Sequence, residues 1–306
     1  MDKQTDHMNT GPEKPPVIDY EGSDYQQSFW EEGGREYEDR CERIALKKLL
    51  PDQGQLLLEI GAGAGRNTPR YRGFQRVVLL DYSLTQLQQA QTVLGKSEAY
   101  IYVAGDVYRL PFVDRLFDGS TMIRTLHHMA DPLAALRQAQ RVLQPGAPFI
   151  LEYANKHNIK AILRYWLGRQ DWNPFTLEAV EFTELNYDFH PRSIRRWLDE
   201  AGFDLEDQRT VSHFRLGFLK RIVPASLLAS LDAIFQPTGR WWQLSPSVFT
   251  RSTARKSGKA SPGIGFFQCP ECGSALPAEV PGDTKLECPS CGKIYPIVDG
   301  IYDFRK

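Results

Sequence analysis

The sequence carries no surplus of charge of either sign. Lys and Arg number 37 against 38 Asp and Glu in 306 residues, so the strongly basic surface that non-specific nucleic-acid binding needs is missing, although a local basic patch stays open. No apolar run reaches the eighteen or so residues that would span a bilayer. The polar start MDKQTDHMNT also lacks the hydrophobic core of a signal peptide. Both absences place the chain in the cytoplasm. Cysteine is scarce and unevenly placed: of five, Cys41 stands alone while Cys269, Cys272, Cys288 and Cys291 crowd towards the C-terminus. In a reducing compartment such clustering favours a metal over disulfides.

What is present suits one α/β domain of ordinary size plus a small appendage, since 42% of the residues are hydrophobic. Residues 1–20 are polar and rich in Pro, Lys and Asp, and read as a disordered tail. From Tyr37 to Leu50 the apolar residues recur at helical spacing, up to Pro51. Short apolar runs then alternate with helical patterns: Leu56 to Ile60, Val77 to Asp81, Ala99 to Val103, Gly119 to Ile123 and Pro148 to Glu152, with helices expected near 64–72, 83–94 and 131–143. That alternation is the signature of βαβ units and a parallel sheet. Ligands of such doubly wound sheets bind outside the carboxyl ends of the strands.

An aromatic, amphipathic stretch at 156–190 interrupts the rhythm and reads as a cap over the site. HPRSIRRWLDEAGF then predicts a helix stopped by Gly202, and two more strands are expected at about 206–215 and 243–250, flanking an apolar insert at 216–240. The reading is an α/β fold: a doubly wound, mostly parallel seven-stranded sheet spanning 21–250. A flexible linker at 251–265, rich in Ser, Lys and Gly, leads to a small module at 266–306.

Glu59-Ile60-Gly61-Ala62-Gly63-Ala64-Gly65-Arg66 is a glycine-rich turn at the end of the first strand, where small residues let a ligand approach the backbone. A dinucleotide fingerprint would need glycine in place of Arg66 and has no use for an acid before the first glycine. A cationic sulfonium and an ammonium group do favour a carboxylate such as Glu59.

These residues resemble the class I S-adenosylmethionine-dependent methyltransferases, whose hallmark is E-x-G-x-G-x-G after strand one. The likeness covers roughly residues 35–155 and extends to the methyltransferase-11 group, which includes quinone-biosynthesis enzymes, through RVLQPGAPFILE. It implies a Rossmann-like fold with S-adenosylmethionine as co-substrate. It also implies that Asp81 takes the ribose hydroxyls, that Tyr82 lies against the adenine, and that Asp106-Val107 contacts the adenine amino group. Arg66 would bind the methionine carboxylate or simply cap a surface. The segment Arg124-Thr125-Leu126-His127-His128-Met129 would face the methyl group. No Asn-Pro-Pro-Tyr type motif stands there, which disfavours amide and adenine-amine acceptors, and no cysteine is placed for a covalent adduct. His127 or His128 is the candidate base, weighed against plain packing. Tyr25, Trp30 and Tyr37 are candidates to cover the cofactor or to pack in the core.

Cys269-Pro-Glu-Cys272 and Cys288-Pro-Ser-Cys291 have the spacing of a four-thiolate structural Zn2+ site, a zinc ribbon with no open position for catalysis. With Ile294 to Ile301 it resembles small zinc-ribbon activators of tRNA, rRNA and release-factor methyltransferases, which implies a partner supplied in cis. The leading expectation is methyl transfer to a small-molecule or lipid acceptor, with peripheral membrane contact compatible with the apolar inserts. RNA or protein methylation, drawing on Arg251, Arg255, Lys256 and Lys259, and a non-catalytic cofactor-binding scaffold are the alternatives.

Overall fold

Apolar runs bounded by turn residues become the strands of one sheet. The computed structural model describes residues 15–17, 21–22, 34–255, 265–278 and 282–305. β1 (Gly54–Ile60), β2 (Phe74–Asp81), β3 (Tyr100–Ala104), β4 (Gly119–Met122) and β5 (Pro148–Ala154) run parallel in the order β3-β2-β1-β4-β5. Their Leu- and Val-rich centres are buried, as expected for strands covered on both faces. Asp118, just before β4, accepts hydrogen bonds from the amides of Gln55 and Leu56 at 2.6 and 2.8 Å and so fixes the start of β1.

Helices cover the sheet. α1 (Glu36–Leu49), α2 (Leu84–Leu94) and α3 (Pro132–Val142) fall where periodicity put them. Ser83 caps α2 and Asp131 caps α3, each accepting a backbone amide, and Pro132 opens α3 where no donor is needed. The helix expected at 64–72 is a single 3-10 turn, Thr68–Arg70. Pro69 lacks an amide and restricts Thr68 before it, so the short segment cannot wind into a regular helix.

The cap at 156–190 contains α4 (Ile159–Trp166) and a hairpin of β6 (Val180–Thr183) and β7 (Asn186–Asp188). α5 (Pro191–Ala201) ends at Gly202, left-handed at φ +92°. β8 (Phe203–Val211) and β9 (Ser247–Ala254) complete the main sheet in the order β5-β9-β8, with β9 antiparallel to both neighbours and β8 therefore running in the direction of β5. Both differ from the expected ranges: Gly202 lets β8 begin earlier, and β9 waits until Pro246, which has no amide for the ladder, is passed. The insert between them folds into α6 (Gly217–Ile222), α7 (Ala225–Phe235) and a 3-10 turn at Gln236–Arg240.

The range expected as a linker begins inside a strand. Arg251 to Ala254 belong to β9, and residues 256–264 lie outside the described residues. Beyond them, β10 (Lys285–Glu287), β11 (Ile294–Val298) and β12 (Ile301–Asp303) join the sheet through β12, which runs parallel to β3 with Ile301 opposite Tyr102 and Asp303 opposite Ala104. The main domain supplies the expected seven strands and the module extends them to ten. Phe267 pairs with Phe112 through a β-bridge and stacks on its ring at 5.8 Å, while Phe304 packs against Phe267 and Tyr295. Module and main domain thus share one hydrophobic core.

Candidate cofactor site and metal centre

The glycine turn leaves β1 with Gly61, Gly63 and Gly65 all at positive φ, between +54° and +77°. A side chain at Gly61 would strike the Thr125 hydroxyl at 2.1 Å, so glycine is required there for contact with the loop after β4 as well as for backbone shape. The Gly63 amide donates to Asp81 Oδ2 at 2.8 Å, and the Ser83 amide donates to Oδ1 at 2.9 Å. Asp81 therefore ties the turn to the end of β2. Between these ends opens a crevice with about 940 Å3 of unfilled space, its mouth included.

Gly61, Gly63, Arg66, Asp81, Tyr82, Val107, Arg124 and His128 all face this crevice, as do Thr125 and Met129 of the segment expected near the methyl group, and Asn67 and Gln86, which the sequence reading did not single out. Gly65, Glu59, Asp106 and His127 are not on its wall. Gly65 instead meets α2, where an added carbon would lie 2.8 Å from Leu94. Asp106 caps the short turn after β3, accepting from the Tyr108 amide at 2.8 Å. Glu59 lies buried beneath the loop, accepting from the hydroxyls of Thr68 at 2.6 Å and Tyr71 at 3.1 Å. Burial pushes its carboxyl up to about 7, against the pull of those hydroxyls and of Arg66 and Arg70.

Two crevice arginines are held from outside. Arg66 pairs with Asp39 and with Glu42 at 2.8 Å, and Arg124 Nε donates to the other Glu42 oxygen at 2.8 Å. Arg124 has φ +56°, a strained backbone for a residue with a Cβ, and its amide donates to buried Glu152 at 3.0 Å. Burial raises the Glu42 carboxyl, yet the Arg124 and Arg66 guanidiniums outweigh it and hold it below the ordinary range. The acids on α1 are the signal that was missed: Glu38, Asp39 and Glu42 fall on one helical face.

At the end of β4 the His127 and His128 rings lie 4.0 Å apart. His128 Nδ1 is 3.0 Å from the Leu185 carbonyl. A carbonyl can only accept, so Nδ1 carries the proton and the neutral ring keeps its lone pair on Nε2. Burial lowers the pKa of His128, partly offset by that carbonyl. Burial, then His128 and Arg124, lower that of His127 further, and its Nδ1 has no hydrogen-bond partner among the described residues. Tyr37 does not cover the crevice: it is buried, and its hydroxyl donates to Asp232 at 2.9 Å and accepts the Phe214 amide, locking α1 to α7. Tyr25 and Trp30 lie outside the described residues.

The model of a methyltransferase domain matches residues 58–151, the stretch from β1 to β5 that builds this crevice. A demethylmenaquinone methyltransferase of Mycolicibacterium paratuberculosis is 31% identical over 176 residues, covering 56% of this chain and 73% of that protein. The chain belongs to the S-adenosylmethionine-dependent methyltransferases. An O-methyltransferase of Penicillium expansum is 30% identical over 146 residues, or 44% of this methyltransferase, which spans only 52% of that relative's length. A Haloferax volcanii methyltransferase solved in complex with a methyltransferase activator shares the fold at a TM-score of 0.53 and 18% identity, covering 76% of this chain and 96% of that one.

The second centre lies in the C-terminal module of this methyltransferase. Two knuckles repeat one pattern: the Gly273 amide donates to the Cys269 carbonyl at 2.8 Å and the Gly292 amide to the Cys288 carbonyl at 2.9 Å. Gly273 and Gly292 sit at φ +74° and +71°. The sulfurs of Cys269, Cys272, Cys288 and Cys291 all lie within 4.8 Å of one another, with Cys269 to Cys291 at 3.7 Å and Cys272 to Cys288 at 3.5 Å. A tetrahedron with metal–sulfur bonds of about 2.3 Å has edges of about 3.8 Å, so the four thiols fit one thiophilic ion.

Proposed function

We propose that this methyltransferase moves the methyl group of S-adenosylmethionine onto an apolar small-molecule or lipid acceptor of the hydroxylated-ring class, with the C-terminal module as a structural zinc ribbon acting in cis. The observation that carries the reading is His128 on the crevice wall, with its basic nitrogen fixed as Nε2 by the Leu185 carbonyl. The family's cofactor supplies a methyl group already activated on a sulfonium, so the protein has chiefly to align the acceptor and exclude water. His128 Nε2 would take the hydroxyl proton, raising electron density on the acceptor as the carbon–sulfur bond breaks and the methyl bond forms. Asp81 would accept from the ribose hydroxyls and Tyr82 would flank the adenine, both facing the crevice. Arg66, held by Asp39 and Glu42, would bind the methionine carboxylate. The similarity to demethylmenaquinone methyltransferases supports a ring acceptor.

The ribbon's part is structural, since four protein ligands leave a zinc ion no open position. Its final strand continues into Arg305, which donates to the Tyr82 carbonyl on the crevice rim at 3.4 Å.

The test is incubation of the protein with methyl-labelled S-adenosylmethionine and a cell extract, followed by separation of lipid, RNA and protein. Label in the lipid or small-molecule fraction is expected. Label confined to RNA or protein overturns the acceptor reading, and cofactor binding without any transfer overturns catalysis.

A further inference from the structure

Two inserts leave the sheet at the same end. Ala154 at the end of β5 and Val211 at the end of β8 both pair with Ser247 at the start of β9. The chain after β5 and the insert 212–246 therefore emerge together, at the carboxyl end of the parallel strands where the crevice opens. The Ile159 amide donates to the Leu244 carbonyl at 2.9 Å and ties the two inserts side by side.

Their outer surfaces are apolar. α4 turns out Ile159, Leu163 and Trp166, and α6 with α7 turns out Phe218, Ile222 and Ile234. Trp241 and Trp242 are 68% and 67% exposed, a large uncovered area for residues that usually bury most of theirs. Half of the chain's six tryptophans are exposed here.

The charge on the same segments is one-sided. Around α4, α6 and α7, residues 156–170 and 212–246 carry eight Lys and Arg, among them Lys160, Arg164, Arg169 and Arg221, and a single acid, Asp232, while the rest of the cap, 171–190, holds Asp171, Glu178, Glu181, Glu184 and Asp188. Asp232 is buried, bonded to Tyr37 and His213. Lys220 and Arg215 are answered by Glu38 from α1, and Arg240 by Asp207 from β8. In a chain of net charge −1 the stretches around α4, α6 and α7 are basic, and the acids of this end lie on 171–190.

We infer that this end rests on an anionic phospholipid bilayer, with the tryptophans and the outer faces of α4, α6 and α7 entering the boundary between headgroups and acyl chains while the basic side chains meet lipid phosphates. Amphipathic surfaces that lie in an interface have this composition: Trp, Phe and Leu on one side and Lys and Arg around them. A second copy of the chain is a poor occupant, because a two-fold contact would set basic surface against basic surface. No helix among the described residues is long and apolar enough to cross a membrane, so the contact is with the surface. The placement deepens the lipid-acceptor reading and rests on it for its purpose, since it turns the crevice mouth towards a bilayer-dissolved acceptor.

The experiment is co-sedimentation of the full chain with phosphatidylcholine vesicles, with and without phosphatidylglycerol. Partitioning at least about tenfold stronger onto the anionic vesicles, and weakened by salt, is expected. Trp241→Ser/Trp242→Ser should lower partitioning about tenfold on either vesicle, while Arg164→Glu/Arg169→Glu removes the preference for anionic lipid. Cofactor binding by calorimetry shows that both variants are folded. Equal partitioning of wild type and the tryptophan variant, absence of binding to anionic vesicles, or a dimer in sedimentation velocity that the tryptophan substitutions dissolve would each overturn the inference. Vesicle binding that persists while methyl label goes to RNA or protein would keep the docking face and reject only the acceptor.

Discussion

The guanidinium of Arg305 donates to the main-chain carbonyl of Tyr82 at 3.4 Å, so the last turn of the metal module touches the rim of the cofactor crevice. The same guanidinium binds Glu21 at 3.1 Å, and Glu21 accepts the Leu84 and Thr85 amides at the start of α2. Arg305→Ala is expected to weaken S-adenosylmethionine binding about threefold to tenfold, the loss of a charge-assisted contact. Calorimetry checks this, and unchanged affinity would separate module from crevice.

Asp81→Ala should weaken cofactor binding at least about tenfold, which is about 1.4 kcal/mol. The substitution removes both the candidate ribose acceptor and the anchor of the Gly63 amide. Equal dissociation constants for wild type and variant would remove Asp81 from the site.

His128→Ala should lower kcat by about a hundredfold or more while leaving cofactor affinity nearly unchanged, as expected for a lost general base. Burial lowers the pKa of His128, so the neutral, basic form prevails at neutral pH. Wild-type kcat should therefore fall only as pH drops through a value below 6.5, and this acid limb should vanish in the variant. An unchanged acid limb in His128→Ala would assign the titration to another group.

Glu59 gives a stability signature. Its carboxyl is raised from 4.5 to about 7 in the folded protein, so the fold favours its neutral form. Its contribution is fully present below the unfolded value of 4.5 and lost as pH rises through about 7. The stability of wild type relative to Glu59→Gln should fall between those limits and level off above them. Urea midpoints across that range test the sign.

The parts legible in the sequence are those whose chemistry is local. The glycine turn, Asp81 at a strand end, the helices expected near 83–94 and 131–143, and the paired cysteines each rest on particular residues at fixed short spacing, and all stand where the spacing put them. The ionic clamp behind the crevice was not legible. Arg66 and Glu42 are 24 residues apart and Arg124 and Glu42 are 82 apart, so only the folded chain shows that one buried acid serves both. Glu59 was read as facing the ligand because of its motif, whereas the partners that turn it inward, Thr68 and Tyr71, lie in a segment that periodicity took for a helix. The union of the metal module with the main sheet was hidden for a related reason: a composition suited to a linker says nothing about where the strands beyond it will pair.

Replacing Cys272 by Ser, or removing metal with a chelator, should lower Tm by at least about 5 °C, because so small a module depends on its ion for folding. One equivalent of zinc per chain by elemental analysis is expected for the wild type.

The parallel pairing of β12 with β3 has a further effect. β3 would otherwise present a row of unpaired amides and carbonyls at the margin of the sheet, the kind of open strand that recruits other chains into aggregates. An ion held by the four cysteines would thereby guard solubility at a distance, and its loss would first be seen as turbidity in a protein whose crevice residues are all intact.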